Sequence, residues 1–196
     1  SPDLFKRVPL RAHSFLAGIE VRTLYRIDLP RGPQGLTMRG IIAIAGLGGE
    51  GQIDVGPITA TLFWLRGLIG RLMHWEDADE LVRSVTYLSR LSDEDRIRSA
   101  IAPGTKAGIS RVVYCFEHEF LAEIVNRTVH CFWLLGSERT SDGYALYVAI
   151  YVKKINWFTP VYMALITPIV KWVVYPSMTK GIRRRWESLF PMIQPC

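Results

Sequence analysis

The side chains able to do chemistry in this chain gather in its C-terminal half. His130 is the best suited to proton transfer, because an imidazole titrates near neutral pH. Glu117 and Lys153 could orient or polarise a substrate carbonyl, and Tyr147 adds a hydroxyl. Tyr151, Ala149, Phe132 and Tyr162 are of the apolar and aromatic types that wall a ligand cavity. The reading is therefore a catalytic set of His130, Tyr147, Glu117 and Lys153 beside a substrate-binding set of Tyr151, Ala149, Phe132 and Tyr162. The plainer alternative makes His130 a hydrogen-bonded core histidine and lets the tyrosines pack with their hydroxyls at a rim.

Other chemistries find less support. There is no G-x-S-x-G segment, and Cys115, Cys131 and Cys196 have neither an activating motif nor metal-ligand spacing. His118-Glu119 lacks the second histidine of a zincin, so no metal is expected. Gly46, Gly48 and Gly51 spell G-x-G-x-x-G, but Gly56 and Pro57 delay the helix whose N-terminus would hold a pyrophosphate. A loop at a cavity mouth is the better reading of GLGGEG, and no cofactor is expected.

These residues need a sheet to hold them. SRVVYCFEHEFLAEIV, RTVHCFWLLG and YALYVAIYVKK read as three strands, followed by a long helix over 157–190. In the last strand Leu146, Val148, Ile150 and Val152 form one aliphatic face, while Ala145, Tyr147, Ala149, Tyr151 and Lys153 form the other. The Ala/Tyr face is expected to line a pocket roofed by the C-terminal helix. The aliphatic face then needs a second layer, a second copy of the chain in a homodimer, or lipid.

Upstream, residues 1–20 read as an extended arm and VRTLYRIDLP as a strand. LTMRGIIAIAG reads as a second strand. Pro57 to Trp75 and Asp77 to Leu91 carry helical patterns, and Ser92-Asp93-Glu94-Asp95 reads as a capping box opening a short helix. The fold class is α+β: a curved antiparallel sheet wrapped around a long C-terminal helix, with further N-terminal helices, in one domain over 1–196.

Half the 196 residues are hydrophobic (49%) and the net charge is +6, with a mean hydropathy of +0.15. The cations are scattered apart from Lys180 and Arg183 to Arg185, so nucleic acid is not an expected partner. Trp157 to Met178 is about long enough to cross a bilayer, but Pro160, Pro168 and Pro176 disfavour a continuous span. Cytoplasmic residence fits, with association at a membrane surface through this helix and the arginine cluster as a further reading.

The order of elements resembles the SRPBCC, or START-like, helix-grip superfamily. More narrowly it is similar to a branch known as a domain of unknown function, which carries N-x-x-G-R-x-Y after its last strand and then an I-x-P step. Asn156, Tyr162, Ile166 and Pro168 stand at that spacing; Thr159-Pro160 replaces the Gly-Arg pair, and Val170 stands where a histidine is frequent. TATLFWLRGLIGRL resembles the branch's leucine-rich L-R-x-x-L segment. The resemblance implies a hydrophobic small-molecule ligand. Some members of the superfamily are cofactor-free cyclases or aromatases. The expected function is therefore a cofactor-independent cyclase- or isomerase-like enzyme acting on a hydrophobic polyketide or terpenoid intermediate. The alternative is a non-catalytic lipid or hydrophobic-ligand carrier.

Overall fold

The computed structural model describes residues 2–47, 85–107, 110–125, 129–155, 160, 163–164, 167–168 and 170–191. Its centre is one antiparallel sheet of six strands: β1 (Val21–Pro30), β2 (Lys106–Ala107), β3 (Ser110–Cys115), β4 (Glu119–Val125), β5 (His130–Thr140) and β6 (Gly143–Lys153). The order is β1-β6-β5-β4-β3-β2, so the first strand closes onto the last and the others form a meander. The curved sheet matches the expected α+β class.

Strand register explains how the two faces separate. Phe132 pairs with Tyr151 and Leu134 with Ala149, while Leu135 pairs with Val148 on the alternate positions. Period-two alternation therefore carries the Ala/Tyr pattern of β6 onto β5 and β4 as one continuous face. Leu121, Phe132, Leu134, Ala145, Tyr147 and Ala149 belong to one core cluster, whereas Ala122, Leu135, Leu146 and Val148 belong to the other.

The helices were expected to meet the sheet differently. The C-terminal helix α5 (Tyr175–Leu189), preceded by a π-helical turn at Val170–Val174, covers the aliphatic face. It buries Tyr175, Met178, Ile182 and Trp186, a spacing of three and four residues that makes one apolar stripe. The Trp186 indole N–H donates to the Pro30 carbonyl at 2.7 Å. The Ala/Tyr face is instead covered by residues 5–16, whose two short helices are α1 (Pro2–Arg7) and α2 (Ala12–Phe15). The arm sits close: a methyl on Gly136 would come within 2.8 Å of Leu10.

Two further elements depart from the sequence reading. LTMRGIIAIAG forms a helix, α3 (Met38–Ala45), rather than a strand. Met38, Ile41, Ile42 and Ala45 are its buried residues, Thr37 caps the start, and left-handed Gly46 ends it. Four apolar side chains at helical spacing outweigh the β-propensity of the isoleucines here. SRVVYCFEHEFLAEIV is two strands and not one, because the chain turns at Phe116-Glu117-His118; the Phe116 amide donates to the Glu119 carbonyl at 2.7 Å.

Ser92 caps the short helix as expected, accepting from the Asp95 amide at 3.1 Å and opening α4 (Asp93–Arg98), while the Asp95 carboxylate turns to Arg11. A 3-10 turn, Tyr87–Arg90, precedes it. The helix pattern over 57–75, Gly48 and Gly51 of the glycine-rich loop, and most of 77–91 lie outside the described residues. Positions 160, 163–164 and 167–168 are helical. Among the described residues no helix is long and apolar enough to cross a membrane.

Candidate functional site

Ionisable groups are built into the Ala/Tyr face of the sheet, one set held by the arm and the other by the segment at Thr86-Tyr87. β4 supplies Glu119 and Glu123, two acids four residues apart on one side of a strand and both buried. A carboxylate removed from water needs hydrogen bonds or an opposite charge, and each acid has its own set.

Glu119 receives the backbone N–H groups of Arg11 at 2.9 Å and Ala12 at 3.3 Å, at the start of α2. Arg11 also forms an ion pair with the buried Asp95 at 3.3 Å. Burial pushes the Glu119 carboxyl up to about 7, against the opposing pull of the two amides and the Arg11 charge. The Tyr114 hydroxyl is buried beside this carboxyl but makes no hydrogen bond of normal geometry. Tyr151 is pushed up to about 12, first by burial and then by the Glu119 charge.

Glu123 and His130 form the second group, both 1% exposed at the side chain, with His130 Nε2 at 2.9 Å from the carboxylate. Glu123 pairs in register with Phe132 and Val125 with His130, so the acid and the imidazole meet on the diagonal of the β4–β5 pair. Thr86 Oγ1 and the Tyr87 amide also donate to Glu123. The other imidazole nitrogen, Nδ1, is buried without a hydrogen-bond partner among the described residues. Rings of Tyr87 and Phe132 enclose the imidazole at 5.3 and 4.4 Å between centroids.

The expected residues therefore scatter. His130 is at this buried pair, and Lys153, its register partner on β6, reaches over the Tyr87 ring at 5.4 Å. Phe132 and Ala149 are fully buried in the core beneath the arm. Tyr147 is buried against Phe5, its hydroxyl donating to Glu138 at 3.0 Å. Glu117 is exposed in the β3–β4 turn, 3.8 Å from His118. Tyr162 lies outside the described residues. Among the described residues, α5 packs on the opposite face from the one it was expected to roof, and the Ala/Tyr face is packed by Phe5, Phe15 and Tyr87.

Among the described residues of the expected set, Tyr151 lines a groove of about 470 Å³ between the arm and β1. Phe5, Lys6, His13, Leu16 and Ile19 line its arm side, and Arg22 and Leu24 its strand side. His13 holds the arm's shape: its Nε2–H is shared between the Phe5 and Val8 carbonyls, each at 3.1 Å. Both acceptors are carbonyls, so that nitrogen carries the proton.

Sequence reasoning missed Glu119, Glu123 and the whole arm contribution. The signal for the acids was available: two glutamates at i and i+4 in the apolar run EFLAEIV must face the same side of a strand. Reading through the turn at 116–118 drew attention to Glu117 instead. Among the described residues no cluster of His, Cys, Asp and Glu could hold a metal ion.

No curated protein matches the chain. Residues 16–177 match a family described as proteins of unknown function, DUF2867. That span covers the whole sheet, the cap over the Ala/Tyr face from Leu16 onward, and the start of α5, so the chain belongs to the DUF2867 family.

Proposed function

We propose that this protein binds a hydrophobic small molecule in the groove between the N-terminal arm and β1. The observation that carries this reading is the groove itself: about 470 Å³, lined by Phe5, Leu16, Ile19, Leu24 and Tyr151. Ligand sites have volumes of roughly 300–1,000 Å³ and mostly apolar walls with a few polar groups. Filling the groove tests it. The Leu24→Trp variant should abolish binding of an apolar dye such as Nile red while leaving the unfolding transition in place. Unchanged dye binding in that variant refutes the site.

A second reading keeps the enzyme: a cofactor-independent cyclase or isomerase working on a hydrophobic polyketide or terpenoid intermediate by positioning and general acid/base chemistry. It is favoured by Glu119, whose carboxyl is pushed up to about 7 and whose charge is felt by Tyr151 at the groove. Turnover of a candidate substrate that is equal in wild type and Glu119→Gln would remove this reading and leave binding intact. The SRPBCC helix-grip assignment also belongs here. It is supported by the pairing of β1 with the last strand and by a C-terminal helix laid across the sheet.

A further inference from the structure

The groove has a sign. Its charged lining residues, Lys6 and Arg22, are both cationic, and no acid lines it. Both are exposed, and neither takes part in an ion pair among the described residues. Glu20, adjacent in sequence, is exposed and outside the lining. Among the described residues Arg11, Arg26 and Arg98 are ion-paired, with Asp95, Asp28 and Glu94. The apolar stretch formed by Leu16, Ile19 and Leu24 shares the same groove. A hydrocarbon on these side chains leaves water, while an anionic end at Lys6 and Arg22 stays hydrated and gains two charge-assisted contacts.

We infer that the groove takes a single-chain amphiphile with an anionic head, a carboxylate or a phosphate monoester, its tail along Leu16, Ile19 and Leu24 and its head between Lys6 and Arg22. This rests on the ligand-binding reading above and names the ligand's chemistry. The tail supplies most of the affinity by burial, and the head supplies preference and orientation.

The test is isothermal titration of the full chain with decanoate and monodecyl phosphate below their micellar concentrations and with 1-decanol below its solubility limit. Both anions should bind about tenfold more tightly than the alcohol, the gain expected from two exposed charge pairs. The double variant Lys6→Ala/Arg22→Ala should lose that tenfold, binding decanoate no more tightly than 1-decanol. Equal affinity for decanoate and 1-decanol overturns the inference and leaves the binding site standing. If none of the three binds, both the inference and the reading beneath it fall. Binding to vesicles of equal parts phosphatidylcholine and phosphatidylglycerol, with no affinity for monomeric decanoate, also overturns it and assigns the two cations to a lipid surface.

Discussion

The two faces of the sheet solve the same problem in different ways. The face under α5 and α3 is sealed by hydrocarbon: Leu146, Val148, Leu135 and Ala122 meet Ile41, Met178, Ile182 and Trp186. Among the described residues it buries no carboxylate and no histidine. The face under the arm buries Glu119, Glu123 and His130 together with Tyr114, Tyr147 and Tyr151. Burying ionisable groups costs stability unless every one is partnered, and among the described residues the Tyr114 hydroxyl and His130 Nδ1 make no hydrogen bond, and neither does the Trp133 indole N–H beside the aliphatic layer. The aliphatic face serves stability. The polar face gives up some stability in taking two acids and a histidine out of water.

The contrast can be broken at its strongest point first. Trp186→Ala removes the largest fully buried side chain of the aliphatic layer and its bond to Pro30, and should cost about 3–5 kcal/mol in urea unfolding. A loss below about 1 kcal/mol would mean that α5 is not what seals that face.

On the polar face the expected effect depends on pH. Glu119 has a raised value in the folded chain, about 7, against an ordinary 4.5. Between those values the folded state holds a proton that the unfolded state has released. Its contribution is fully present below pH 4.5 and is lost as pH rises through 7. The fall should be on the order of 3 kcal/mol and should vanish in Glu119→Gln, as read from denaturation midpoints across that window.

Glu123→Gln keeps the shape of the side chain but removes the charge shared by Thr86, Tyr87 and His130. Loss of charge-assisted bonds should cost about 1.5–3 kcal/mol. A double-mutant cycle with His130→Phe would show coupling of at least 0.5 kcal/mol for partners in contact. Tyr147→Phe should have the smallest effect, about 0.5–1.5 kcal/mol, because its hydroxyl donates to Glu138 at the exposed end of the hairpin.

Much of this molecule was legible in its sequence, and the illegible part has a physical cause. β1 has its expected bounds, and β6 sorts Leu146, Val148 and Ile150 from Tyr147, Ala149 and Tyr151 as period two requires. Alternation divides a strand into faces but carries no information about which element covers each face. The arm contributes Phe5, Val8, Leu10 and Phe15 without a sustained period, so nothing in its pattern announced a cover layer. α3 was misread because isoleucines suit strands, although Met38, Ile41, Ile42 and Ala45 already had helical spacing. His130 was legible as a buried, hydrogen-bonded histidine; its partner Glu123 was not, because reading one strand through the β3–β4 turn hid the pairing.

The most direct test asks which face of the sheet meets a ligand. A decanoate analogue carrying an aliphatic diazirine, photolysed on the full chain and mapped by peptide mass spectrometry, should label Leu16 to Leu24 and Tyr151. Labelling confined to Tyr175, Met178 and the aliphatic face of β6, with the arm untouched, would contradict the account.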